Sequence, residues 1–191
     1  ICAIIAFVIV LNTVIIPNGK YNDAIALMDA GKYTEAISAF EALDGYKDSA
    51  TKIIECKYND AIALMDAGKL DEAYSAFIEL GAYKDASEKV GDIRLQKTKD
   101  QLKYIKAGSH INFGAYEQDY SSNGKEDVEW LVLEIKDGKA FVISKYALDC
   151  KQYNTSYTDV TWETCTLRKW LNNDFINAVF SAEEKAMIPT V

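Results

Sequence analysis

The sequence predicts a multidomain chain: all-α helical-hairpin repeats followed by an α+β domain, with part of a transmembrane helix at the N-terminus. Three observations point there. Residues 21–32 (YNDAIALMDAGK) return unchanged at 58–69, a tandem duplication with a period of about 37 residues. Residues 129–144 hold two strand-like runs on either side of Asp137-Gly138, a strong hairpin signal. Residues 1–16 carry no charge. The expected organisation is a partial transmembrane helix at 1–17, repeats with a closing helix at 18–105, and the α+β domain at 106–191.

The apolar head ICAIIAFVIVLNTVII has only Asn12 and Thr13 as polar groups. Its length falls between a signal-peptide core of ~7–15 residues and a spanning helix of ~20. It begins at residue 1, which is not Met, and so reads as a membrane anchor cut partway. A truncated signal peptide and a buried core helix are the other readings. The following flank, Pro17 to Asp23, holds one Lys and one Asp and lacks the Lys/Arg excess of a cytoplasmic side. Everything after Pro17 is therefore expected outside the cell.

The duplicated units align as 21–57 and 58–94, with roughly 22 of 37 positions identical. Ala24, Leu27, Gly31, Ala36 and Phe40 recur as Ala61, Leu64, Gly68, Ala73 and Phe77, with Tyr33-x-Glu35 and Leu70-x-Glu72 between. Small Ala and Gly allow close helix approach, and Leu and Phe fill the gap. Gly31 and Gly68 fall where the first helix of each unit must end. This spacing resembles the tetratricopeptide repeat over about residues 20–94. Asp48 and Asp85 stand where that family often has Pro, each within Tyr-Lys-Asp, and Asp85-Ala-Ser-Glu88 is a capping-box pattern. Asp48 is expected to start a long helix to about Met65, shared by adjacent repeats. Residues 86–105 then close the array with Val90, Ile93, Leu102 and Ile105 as the apolar face, although Gly91 weakens it.

Past Lys106 the composition turns to strand formers at 109–116 and 129–144. Asp119–Asp127 reads as an exposed loop, and 151–162 as a polar and aromatic one. Leu167, Trp170, Leu171 and Phe175 share a helical face, and Ser181-Ala-Glu-Glu184 caps a short helix before Pro189. The chain reaches Val191 with no closing strand, so an incomplete domain is expected. Ile111–Asp119, Glu129–Leu133, Ile143–Asp149 and Thr161–Asn172 together resemble an uncharacterised bacterial family, domain of unknown function 6273, across 111–188. That resemblance implies an exported or membrane-tethered Gram-positive protein. It also implies a fold similar to C-type-lectin-like and formylglycine-generating-enzyme domains, with no established activity.

Nothing reactive clusters in the sequence. A formal charge of −8 argues against nucleic acid as a partner, since phosphate binding needs basic surface. His110 is the only histidine; Ser109 precedes it, but no Cys or carboxylate stands beside it, and it reads as an ordinary surface or edge histidine. Cys2, Cys56, Cys150 and Cys165 form no metal-binding pair. Cys150 and Cys165 read as two inert thiols or, if exported, as a disulfide. No cofactor, metal or catalytic residue is expected. The copper-binding cysteine pair of the formylglycine-generating family does not map onto Cys150 and Cys165, and the sugar-binding triplet of C-type lectins is absent.

Aromatic residues offer a ligand face: Tyr153, Tyr157 and Trp162, with Asn154 and Asp159 between them to orient a polar ligand. The alternative places Trp162 and Trp170 in the core under the tyrosines. The expected function is a non-enzymatic, single-pass membrane-anchored extracytoplasmic protein. Its repeats serve as stalk or docking surface, and its α+β domain binds a protein or glycan ligand. An intracellular scaffold holding a peptide and a formylglycine-generating-type oxidative enzyme are the alternatives.

Overall fold

The computed structural model describes residues 16–119 and 124–189. The chain is helical with a small three-stranded antiparallel sheet, in two compact units, Ile1–Val90 and Gly91–Val191. The expected anchor at 1–17 lies outside the described residues except for Ile16 and Pro17. Those two belong to the helix Ile16–Asp29. Among the described residues no helix is long and apolar enough to cross a membrane.

The first unit runs α1 (Ile16–Asp29), α2 (Tyr33–Glu41), α3 (Ser49–Asp66) and α4 (Leu70–Leu80), each packed on the next. A fifth helix, α5 (Ala86–Leu102), spans the division between the units and continues through Gly91. The repeat residues fall where their spacing placed them. Ala24, Ala36, Phe40, Ala61, Ala73 and Phe77 are fully buried, and Leu27 and Leu64 are half-buried beside them. Burying a Phe stabilises the fold by about 1.5–3 kcal/mol. Gly31 and Gly68 end α1 and α3 at φ +72° and +73°. The following N–H groups of Lys32 and Lys69 return to the carbonyls of Leu27 and Leu64, which closes a Schellman turn in both copies.

The Tyr-Lys-Asp strings have a role beyond capping. Asp48 does precede α3, but its carboxylate makes no cap bond. It accepts the Tyr21 hydroxyl at 2.6 Å instead, and Asp85 accepts the Tyr58 hydroxyl in the second copy. Lys47 and Lys84 sit at positive φ with their ammonium groups 4.5 Å above the Tyr21 and Tyr58 rings. Those rings meet Phe40 and Phe77 edge-on at 5.7 and 5.9 Å. Each repeat is thus latched from its first helix to the start of the next. The hydrogen bond holds the Asp48 and Asp85 carboxyls below their ordinary range and pushes the two tyrosines above theirs.

The second unit's sheet runs β1 (His110–Tyr116), β2 (Glu126–Lys136) and β3 (Lys139–Ser144) in that order. Asp137 and Gly138 form the β2–β3 turn at φ +51° and +72°. Glu126 and Asp127, expected in a polar loop, belong to β2, because each gains a partner there. Asp127 accepts from Arg94, and Glu126 accepts the Gln118 N–H at 2.8 Å. A bulge between Asn112 and Ala115 places Gly114 at φ +72° directly under Val179 and Phe180. A Cβ there would lie 2.6 Å from both side chains, so only glycine fits. Val128, Val179 and Phe180 form the core, with Phe113, Trp130 and Phe175 packed on it.

After β3, a long loop leads to α6 (Thr166–Trp170), a π-helical turn (Leu171–Phe175), α7 (Ile176–Val179) and α8 (Ala182–Ala186). Ser181 and Glu184 complete the expected capping box. Glu184 is also buried and accepts the Gly114 N–H at 3.2 Å, so it serves the sheet as well as its own helix.

Candidate functional site

The orphan N–H groups at the start of α6 organise the loop before it. Asn154 Oδ1 accepts the Thr166 N–H at 3.2 Å, and the Tyr153 carbonyl accepts that of Leu167 at 3.1 Å. Thr166 Oγ1 returns the contact to the Thr155 N–H at 3.0 Å. The Cys165 sulfur accepts the Arg168 N–H at 3.4 Å and lies against the Trp162 carbonyl. Further back, Asp149 accepts the Tyr116 hydroxyl and the Cys150 N–H, both at 2.7 Å. The Tyr116 bond, foremost among its contacts, holds the Asp149 carboxyl below the usual range.

These anchors leave a cavity of about 470 Å³ between Cys150–Thr155 and the helical segment from Thr166 to Asp174. Leu167 and Trp170 supply its apolar wall, and Gln152, Lys169, Asn173 and Asp174 its polar one. Lys151 sits at the rim, 3.2 Å from Asp149 and 5.1 Å above the Trp170 ring. The side chains of Gln152, Lys169, Asn173 and Asp174 have no hydrogen bond or ion pair with other described residues. The π-helical turn brings Asn173 and Asp174 to the cavity, and such widened turns are frequent at functional sites. A second, more apolar cavity of about 660 Å³ shares Lys151, Leu167 and Trp170 and reaches Trp130 and Phe175.

The sequence-predicted ligand residues separate. Tyr153 and Trp162 come together, with ring centroids 6.4 Å apart and about half of each side chain exposed. Partial burial, then the neighbouring Cys165 thiol, pushes the Tyr153 hydroxyl above its ordinary range. Tyr157 is fully exposed and joins no ring pair among the described residues, and Asp159 is exposed. Asn154 is turned to the loop, its amide taken up by Thr166 and by the Ser156 carbonyl at 2.8 Å. Trp162 at 50% exposure is not a core residue. The sequence places Trp170 on a helical face with Leu167, Leu171 and Phe175, and Trp170-Leu-Asn-Asn-Asp174 does not match the lectin sugar-binding motif; the polar run Asn172-Asn-Asp174 after that face is the one available signal.

Cys56 and Cys165 are buried free thiols and Cys150 is an exposed one. His110 is exposed at the mouth of β1. Glu117, Asp119 and Glu126 each offer an oxygen within 4.8 Å of the others, the one carboxylate group among the described residues with metal-ligand spacing. Burial, followed by a hydrogen bond with Asp119 and the charge of Glu126, pushes the Glu117 carboxyl up. Asp119 is exposed, and acidic groups of this kind are common without an ion.

The sequence profile of one family, described as a domain of unknown function (DUF6273), matches residues 137–191. No curated protein and no solved structure matches the chain. The cavity beside Trp170 lies wholly within the matched segment, as do Tyr153 and Trp162.

Proposed function

We propose that the protein is a non-enzymatic, single-pass membrane-anchored binding protein whose bulk lies outside a Gram-positive cell. Its tetratricopeptide-like helices act as stalk or protein-docking surface. Its second unit, a C-type-lectin-like domain, binds an external glycan or cell-wall component. The observation that carries this reading is the cavity beside Trp170. There the Gln152 and Asn173 amides, the Lys169 ammonium and the Asp174 carboxylate, without partners among the described residues, line one cavity with Trp170 and Leu167. Such a set orients hydroxyl-rich ligands while the apolar wall takes a sugar or peptide face, and the volume lies in the ~300–1,000 Å³ range of ligand sites. The uncharged head at 1–16 supports the anchor.

The full chain in lipid vesicles, titrated with a panel of glycans and peptidoglycan fragments, tests the ligand. Asp174→Ala and Gln152→Ala are each expected to weaken binding by about tenfold, the equivalent of a lost polar contact. Tyr157→Ala is expected to leave it unchanged. Silence of the wild-type protein across the panel removes the ligand-binding half of the reading. External protease on intact cells tests the topology: cleavage near Lys20 supports it, and protection favours an intracellular scaffold.

A further inference from the structure

The loop between Lys151 and Glu163 is mostly exposed, yet Asp159 is its one charged residue in a chain that is 26% charged. Hydroxyls and amides fill it instead, and two aromatic rings stand out of it. Tyr153 and Trp162 are 47% and 50% exposed, with ring centroids 6.4 Å apart and ring planes 30° apart. Large aromatic side chains held at a surface are informative, because burial would gain more. Neither ring rides on loose backbone. The Tyr153 carbonyl accepts the Leu167 N–H at 3.1 Å. Around Trp162, the Thr161 carbonyl accepts the Thr164 N–H at 3.2 Å, and the Trp162 carbonyl accepts from the Cys165 thiol at 3.3 Å. The Trp162 indole N–H reaches no acceptor among the described residues.

We propose that Tyr153 and Trp162 form a second subsite beside the Trp170 cavity, and that the ligand is a linear glycan of several units rather than a single sugar. The inference rests on the glycan-binding reading above and extends it to the size of the ligand. Continuity argues for it. Tyr153 lies in the chain between Gln152 and Thr155, which both line the cavity, and its carbonyl is tied to Leu167 of the cavity wall. A sugar seated in the cavity therefore has its neighbours in the chain beside the two rings. The chemistry of the loop selects the partner. Aromatic faces take the apolar C–H face of a sugar, and the surrounding hydroxyls and amides exchange hydrogen bonds with its hydroxyl groups. A charged peptide meets only Asp159 here, whereas a neutral polyhydroxyl chain needs no counter-charge. Because the backbone under both rings is already hydrogen-bonded, little ordering cost is left for binding.

Oligosaccharide ladders from the single sugar to the hexamer test the second subsite. They are drawn from N-acetylglucosamine, glucose, mannose and galactose polymers and from peptidoglycan strands, and titrated against the full chain in nanodiscs holding one copy each. A single copy keeps a long glycan from bridging two proteins and gaining avidity. The readout is the affinity for the tetramer relative to the single sugar, expected to be at least about tenfold in the wild type. Trp162→Ala is expected to cut that ratio below about threefold, and Trp162→Phe to give an intermediate value. Asp174→Ala is expected to weaken every length and keep the ratio. Trp162 is half exposed, and Tyr157→Ala, at a fully exposed ring, is expected to keep the ratio as well. A wild-type ratio near one, or a ratio that survives Trp162→Ala, overturns the second subsite and leaves the cavity reading standing. Silence of every ladder, or binding of peptides alone, overturns both.

Discussion

In the first unit Tyr21 and Tyr58 each donate a hydroxyl hydrogen bond to an aspartate 27 residues on, while in the second unit four polar side chains around Trp170 reach no partner among the described residues. The difference follows from repetition. Each helical hairpin closes onto the next helix with the same geometry, so the same Tyr, Lys and Asp satisfy the same need twice. The loop before α6 has no second copy, and after Asn154 and Thr166 have satisfied the helix start, the remaining polar groups face a cavity. Polar chemistry is structural in one region and available for contact in the other.

The largest expected effect breaks the equivalence of the repeats at their cores. Phe40→Ala and Phe77→Ala are each expected to cost about 3–5 kcal/mol in chemical denaturation, with exchange protection lost first in the repeat that carries the change. A smaller contrast separates the units by their glycines. Gly114→Ala forces a methyl against Val179 and Phe180 and is expected to cost about 3 kcal/mol. Gly31→Ala meets open space at the same φ and is expected to cost about 1 kcal/mol.

The latches give a pH signature to the helical unit. Because the Asp48 and Asp85 carboxyls sit below their unfolded range, their stabilisation is present above about pH 3.9 and is lost as pH falls through the lowered folded values. Tyr21→Phe and Tyr58→Phe are expected to flatten that acid limb equally, read by thermal unfolding across the acid range. Non-equivalent responses break the comparison between the copies. The smallest effect lies in the loop: Asn154→Ala is expected to leave the melting temperature nearly unchanged. It should speed amide exchange at Thr166 and Leu167, which shows whether Asn154 holds the cavity wall or touches ligand.

Much of the fold was legible because it follows from local periodicity. The buried Ala and Phe positions, the glycine-ended helices, the Asp-Gly hairpin and the Ser181 capping box each depend on residues a few places apart. Asp48 was legible as a helix start but not as the acceptor of Tyr21, since that pairing needs two helices already packed. Glu126 and Asp127 read as loop because their partners, Gln118 and Arg94, are nonlocal. The candidate site suffered most. Aromatic content points to Tyr157, which faces water, and local sequence gives no ligand role to Asn173 and Asp174, exposed residues that a π-helical turn brings to the lining of a cavity.

The order of helices and strands, the doubled packing motif and the uncharged head were determined by the sequence alone, because each is a pattern within one stretch of chain. Tertiary structure alone decided which carboxylates are latched and which glycine lies under Phe180. Those depend on groups distant in sequence meeting in space, where a hydrogen bond or a clash at 2.6 Å outweighs any local preference.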